Sequence, residues 1–281
     1  MKNNVSAERS GASLRKKQVT KRIAIAIIAI TMIIIGISYD YINGGTVSFN
    51  KRDTLVIAHR GLSGLEVENT DSAFIAAGEQ SYYGIEADVR RTKDGGFIIC
   101  HDDTVERLSG QEISVESATL EELMNIPLYD KNSKVPGSER LTDLDSFIRI
   151  CKRYDKQAIL ELKSDFNEED IAGIIAVIAN NDYIDRVTFI SFDYDNLLYV
   201  RNFLPEQPAM YLFSEPDDEM TARLIRDKID VGIKHTSLTK KALREFHNAG
   251  LKVNCWTVDS KIRAEMLAKW GVDYITTNIL E

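Results

Sequence analysis

Cysteine is scarce in this chain of 281 residues: Cys100, Cys151 and Cys255 are the only three. So odd and sparse a set argues against a disulfide framework, and Cys100 and Cys255 fall in strand-like stretches, where a thiol reads as a small buried hydrophobe. No cysteine precedes Cys100, which excludes a lipid-modified cysteine near the N-terminus. The thiols do not stand at ligand spacing from the histidines, and this disfavours zinc. Positive charge is also short outside the N-terminus. Residues 1–22 carry seven Lys or Arg against Glu8, so the rest of the chain holds −14 of an overall −8. A body so acidic repels polyanions, and no nucleic-acid partner is expected. No internal repeat or low-complexity segment is present apart from one apolar run.

That run is IAIAIIAITMIIIGISY, residues 23–39, with no charge before Asp40. At ~1.5 Å per residue it reaches the short end of what crosses a hydrocarbon core of ~30 Å. The basic flank before it predicts a cytoplasmic N-terminus and a translocated body. A cleaved signal peptide is the competing reading. The run is longer than the usual ~7–15 apolar residues of such a peptide, and no A-x-A site follows it, so a retained anchor is favoured. The expected organisation is a basic cytoplasmic tail at 1–22, a transmembrane anchor at 23–39, a polar tether at 40–53 and a globular domain at 54–281.

With 44% hydrophobic and 28% charged residues, the chain can bury a sizeable core. From Thr54 onward strand-like stretches alternate with helical ones. TLVIAHRG (54–61), GIEADVRR (84–91), GFIICHD (96–102), QAILELK (157–163), RVTFISF (186–192), AMYLFS (209–214), VGIKHTS (231–237), KVNCWTVD (252–259) and DYITTN (273–278) read as strands. Helices are expected from about 71 and at about 168–181, 194–203, 239–249 and 261–270. Several strands are apolar on both faces, as a covered parallel sheet requires. Repeated βα units over about 230 residues predict a (β/α)8 TIM barrel ahead of an open doubly wound sheet. Nine strands compete for eight places, and TKDGG (92–96) is too short for a parallel crossover, so either 84–91 and 96–102 form a hairpin or another strand lies outside the barrel. Residues 103–156 are too long for one βα connection and predict an insertion over the barrel mouth.

Ionisable residues recur at the C-terminal ends of these strands, the face on which barrel enzymes build their active sites. His59 and Arg60 end the first strand, Glu86 and Asp88 lie on the second, His101 ends the third, and Glu161 with Lys163 end the fourth. Glu86 and Asp88 stand two apart and share one strand face, as do Glu161 and Lys163. Three carboxylates in one lumen repel each other and climb in pKa unless a cation joins them, which points to one hard divalent ion, Ca²⁺ or Mg²⁺. Two imidazoles beside it suggest a general acid and base. Arg60 and Lys163 add positive charge suited to phosphoryl oxygens, so the set reads as phosphodiester chemistry. Glu68 and Asn69 either line the pocket or belong to the start of the following helix, for which Asn69 and Asp71 are good caps. Trp256 is either barrel core or a wall against substrate. His235 has no motif behind it, and His247 suits a helix C-terminal role.

In AHRG, ENT, IEADVRRTKDGGFIICHD and ELK, followed by ISF and WTVD, the chain resembles the glycerophosphodiester phosphodiesterase family, a branch of the phosphatidylinositol-phospholipase-like TIM barrels. The resemblance covers roughly 54–281. Two departures stand out: Val67 replaces the usual proline before Glu68, loosening that turn, and Asp259 replaces the usual asparagine after WTV. The resemblance implies hydrolysis of glycerophosphodiesters to an alcohol and glycerol 3-phosphate. It implies Glu86, Asp88 and Glu161 as metal ligands, His59 and His101 as acid and base, and Arg60 and Lys163 on phosphate. It also implies attack by the neighbouring glycerol hydroxyl through a cyclic phosphate. Deacylated phospholipids, lysophospholipids and polyglycerolphosphate polymers are the expected substrates of a barrel held at a membrane. A lyase of the same barrel type, stopping at the cyclic phosphate, and a non-catalytic binding barrel are the competing functions.

Overall fold

The computed structural model describes residues 45–281. The basic tail, the apolar run at 23–39 and the first part of the tether lie outside the described residues. Among those described, no helix is long and apolar enough to cross a membrane.

Nine strands form one sheet: β1 (Leu55–Ala58), β2 (Gly84–Arg91), β3 (Phe97–Ile99), β4 (Gln157–Leu162), β5 (Val187–Ser191), β6 (Ala209–Phe213), β7 (Asp230–Lys234), β8 (Val253–Trp256) and β9 (Tyr274–Thr277). All but β3 are parallel and run in the order β1-β9-β8-β7-β6-β5-β4-β2, and pairing of β1 with β2 closes the ring. The expected eight-stranded barrel is present. β3 is the supernumerary ninth: it turns back antiparallel on the end of β2, with Val89, Arg90 and Arg91 opposite Ile99, Ile98 and Phe97. The linking turn closes with Thr92 N–H donating to Gly96 O at 2.9 Å, while Gly95 adopts a φ of 79°. That left-handed angle suits glycine, which has no Cβ to clash.

The outer helices are α1 (Asp71–Gly78), α4 (Leu144–Arg153), α5 (Glu168–Asn180), α6 (Tyr194–Phe203), α7 (Asp218–Asp227), α8 (Lys240–Asn248) and α9 (Lys261–Trp270), while α2 (Glu106–Ser109) and α3 (Leu120–Met124) are short turns of helix between β3 and α4. Two of the outer helices correct the sequence reading. α7 is absent from the expected set because its stretch is strongly polar and buries only Leu224. α4 falls inside the predicted insertion, yet it carries Leu144, Phe147, Ile148 and Cys151 at helical spacing, buries them, and packs between α1 and α5. The insertion proper therefore ends near Asp143, the N-cap of α4.

The insertion has a core of its own, built from Val105, Val115, Leu123, Ile126 and Leu128 against Ile98 and Cys100. Val67, the residue in place of proline, is buried in that same cluster. The barrel lumen is plugged by Ile57, Ile159, Ile190, Met210 and Leu212. With apolar side chains filling the barrel, the charged residues of β2 and β4 crowd together above them.

Candidate active site

Each strand end delivers its side chain for a local reason. After β1 the chain reverses at Arg60 and Gly61, both left-handed with φ of 54° and 75°. A Cβ on Gly61 would lie 2.6 Å from the Ala73 backbone, so only glycine permits this approach. The reversal leaves His59 at the mouth and turns the Arg60 N–H onto Glu86 Oε2 at 2.7 Å. On the far side, Cys100 N–H donates to Asp88 O at 2.8 Å, and this hairpin bond sets His101 beside the cluster.

Glu86, Asp88 and Glu161 meet as expected: one carboxylate oxygen from each lies within 4.8 Å of the others, and all three residues are buried. Asp88 Oδ2 accepts from Asn69 Nδ2 at 2.9 Å and stands 3.3 Å from Arg60 Nε. Lys163 Nζ pairs with Glu161 Oε1 at 3.0 Å and reaches Asp88 Oδ1 at 4.0 Å. Glu86 Oε1 and Asp88 Oδ1 are buried without a hydrogen-bond partner. Burial, then the charges of Asp88 and Glu161, push Glu86 well above the usual carboxylate range, and burial with Asp88 pushes Glu161 up to about 7. Burial also works against Asp88, but Arg60, His101 and Lys163 outweigh it and hold that carboxyl down. Orphaned oxygen acceptors among carboxylates that resist joint ionisation fit a hard divalent cation.

Both imidazoles are held from behind. His101 Nδ1 lies 2.6 Å from Asp102 Oδ1, so it donates to that carboxylate and leaves Nε2 free. His59 Nδ1 lies 2.8 Å from Asn278 Oδ1. The Asn278 amide is oriented by Asp259, whose Oδ2 accepts from Nδ2 at 2.6 Å and whose Oδ1 accepts the backbone N–H of Asn278 at 2.8 Å. With the amide oxygen turned to His59, its Nδ1 carries the proton and Nε2 is again free. Burial and the Arg60 charge lower the pKa of His59; burial lowers that of His101 against the pull of Asp88.

A cavity of about 150 Å³ joins these groups. His59, Arg60, Glu86, His101, Glu161 and Lys163 line its polar side, and Phe192 packs edge-to-face on Trp256 across the apolar wall, with centroids 5.3 Å apart. Of the predicted substrate residues, Arg60, Lys163 and Trp256 thus reach the cavity. Glu68 and Asn69 are not among its lining residues. Glu68 binds Arg60 Nη1 at 2.8 Å, Asn69 braces Asp88, and the cap of α1 is Thr70, whose hydroxyl accepts from Ala73 N–H. His235 receives a bond from Arg263 Nε at 3.2 Å, and His247 pairs with Asp273 at 2.8 Å, both away from the cavity. Sequence reasoning passed over Asp102, Asn278 and Phe192. Asn278 had a usable signal, since it is a polar residue just past the C-terminal end of β9, the criterion that found the others.

Fold and site define a TIM barrel whose mouth sets two oriented imidazoles against a buried acidic triad compatible with a divalent metal. Residues 59–281 match the profile of the glycerophosphoryl diester phosphodiesterase family, and the chain belongs to it. The chain is 32% identical over 234 residues to a glycerophosphodiester phosphodiesterase of Caldanaerobacter subterraneus subsp. tengcongensis, covering 80% of this chain and 94% of that protein. It is 27% identical to one of Bacillus altitudinis over 80% and 94% of the two chains. A solved phosphodiesterase of Oleispira antarctica, in complex with the product sn-glycerol-3-phosphate, is similar at a TM-score of 0.73 and 27% identity, over 80% of this chain and 92% of that one. The chain is an enzyme of this family, which hydrolyses glycerophosphodiesters.

Proposed function

We propose that the protein is a membrane-anchored, cation-dependent glycerophosphodiester phosphodiesterase that uses His59 and His101 as a proton-transfer pair. The observation supporting this reading is that both rings, each held through Nδ1, line the cavity that Glu86 and Glu161 also line. A divalent cation, Ca²⁺ or Mg²⁺, held by Glu86, Asp88 and Glu161 would polarise the phosphoryl group and stabilise its developing charge. Arg60 and Lys163 supply fixed positive charge to the non-bridging oxygens. One imidazole takes the proton of the glycerol hydroxyl next to the phosphoester as that oxygen bonds to phosphorus. The other enters the step protonated on both nitrogens and gives its Nε2 proton to the departing alkoxide, whose bond to phosphorus breaks. Water then bonds to phosphorus as the bond to the glycerol oxygen that attacked first breaks and that oxygen regains its proton, with the proton roles exchanged, and glycerol 3-phosphate is released.

The edge-to-face pair of Phe192 and Trp256 offers an apolar wall to the glycerol or to the leaving group. Deacylated phospholipids, lysophospholipids and polyglycerolphosphate polymers all carry the required unit. The run at 23–39 is assigned as a single-pass anchor, with residues 1–22 cytoplasmic and the barrel outside the membrane. Glycerol 3-phosphate release from glycerophosphocholine, glycerophosphoethanolamine and glycerophosphoglycerol, with EDTA and then Ca²⁺ or Mg²⁺ added back, tests the reading. Loss with EDTA, recovery with one ion, and no turnover by a folded His59→Ala variant are expected. Phosphorus NMR showing a cyclic product that never opens would instead favour a lyase.

A further inference from the structure

Arg107 belongs to none of the groups used so far. It sits on α2 of the insertion and is not among the residues lining the cavity, yet each of its three guanidinium nitrogens donates a bond. Nε donates to Asp102 Oδ2 at 2.6 Å, Nη1 to Glu68 Oε2 at 2.9 Å and Nη2 to Glu68 Oε1 at 2.8 Å. The other oxygen of Asp102 holds His101, and Glu68 Oε1 also accepts from Arg60 Nη1 at 2.8 Å. One planar group therefore joins the support of an imidazole to the support of a phosphate-binding arginine. Against the upward push of burial, the bonds from Arg107 and the Arg60 charge hold the Glu68 carboxyl at about 2.

We propose that Arg107 is a positioning residue that sets both His101, through Asp102, and Arg60, through Glu68; the role rests on the phosphodiesterase reading above. Asp102 and Glu68 are two carboxylates brought to one guanidinium, and without that cation they repel. Asp102 then turns towards water, and the neutral His101 ring is free to move its proton from Nδ1 to Nε2, the atom that must exchange a proton with substrate. Lysine cannot replace this fork, because one ammonium lacks the planar bidentate geometry that grips Glu68 while also reaching Asp102.

The test uses the full chain as wild type, Arg107→Ala, Arg107→Lys, Asp102→Asn and the double variant Arg107→Ala with Asp102→Asn. Three readouts are taken: kcat and KM on a hydrolysed glycerophosphodiester, the thermal midpoint, and the ¹⁵N-imidazole signals of His101 without cation or substrate. We expect Arg107→Ala to lower kcat about 10- to 100-fold, the range found when supports behind an active site are removed. The double variant should fall below Asp102→Asn alone by less than the full Arg107→Ala factor, because both substitutions act on the His101 ring while only Arg107→Ala also releases Arg60. The His101 signals should move from a protonated Nδ1 towards a tautomer mixture, with Arg107→Lys only partly restoring them. Wild-type kcat in Arg107→Ala, multiplying losses in the double variant, or unmoved His101 signals would overturn the proposal. If Arg107→Ala does not fold, Arg107→Lys decides: wild-type kcat and wild-type imidazole signals there defeat the proposal, and reduced kcat with shifted signals supports it. A wild type inactive on every glycerophosphodiester would defeat the phosphodiesterase reading alone, while the imidazole signals would still judge the Arg107–His101 link.

Discussion

Asp259 is the residue at which this chain departs from the usual family pattern after WTV, and its Oδ1 accepts from the Asn278 backbone N–H and the Thr277 hydroxyl. Its Oδ2 turns the Asn278 amide so that its oxygen meets His59 Nδ1, which places a negative charge behind an imidazole without direct contact. His101 differs, since Asp102 touches its ring directly. Among the described residues, Asp259→Ala leaves Ser63 Oγ as the only other side-chain partner of the amide besides His59. The amide can then flip and offer a donor to the ring, and kcat should fall about tenfold or more with KM little changed, as steady-state kinetics would read. The two rings also predict a pH effect. Burial, reinforced at His59 by Arg60, lowers both from the ordinary imidazole value, so the free-base form persists to lower pH than in water. The acid limb of kcat/KM should therefore lie below pH 6.5. A wild-type profile whose acid limb lies above that value would contradict it.

Among the elements, the hairpin of β2 and β3 carries most of the consequence. A chain following the regular βα rhythm would leave the mouth after β2 and enter a helix. Here it folds back on the same strand, and the bond from Cys100 N–H to Asp88 O ties the second imidazole to the acidic cluster. The insertion that follows stands on its own apolar core, with Leu123 fully buried between Ile98, Val105 and Leu128. Leu123→Ala removes packing there and should cost about 2–5 kcal/mol. Hydrogen exchange is expected to rise first in residues 103–143, with the barrel strands still protected. Turnover should drop with it, because α2 presents Arg107 from this unit. Uniform loss of protection across the barrel would contradict an insertion that loosens by itself.

For the molecule as a whole, charge sets the dependence on conditions. The described barrel buries three carboxylates in one place, and Glu161, raised to about 7, shows the cost of ionising them together. A carboxyl whose folded value exceeds its unfolded one binds more protons when native. Stability of the cation-free protein therefore falls as pH rises from the ordinary carboxylate range through about 7. A divalent ion that binds the ionised triad reverses that loss. Its addition should raise the thermal midpoint, and by more at pH 8 than at pH 6, where protons compete for the same oxygens. Scanning fluorimetry with Ca²⁺, with Mg²⁺ and with EDTA at both pH values checks this. An equal shift at the two pH values would mean that the ion binds elsewhere.

Much of this protein was legible in its residues alone. Apolar runs on both strand faces specify a covered parallel sheet, and repeated βα units over this length favour closing it into a barrel. The two-residue spacing of Glu86 and Asp88 puts both carboxylates on one face whatever surrounds them. His59, His101, Arg60 and Lys163 announced themselves by standing at strand ends, where a barrel opens. Contacts between distant segments were another matter. Asn278 meets His59 only because β9 lies beside β1 in the closed ring, and Arg107 reaches Glu68 only because the insertion packs back on the mouth. Glu68 and Asn69 read equally as pocket residues or as the start of a helix; the structure bonds them to Arg60 and Asp88, off the cavity lining, an outcome set by which partners the fold brings to each side chain. Local pattern dictates periodicity and face, since both follow from backbone geometry; pairing across the closed barrel depends on which strands become neighbours, and that follows only from the folded whole.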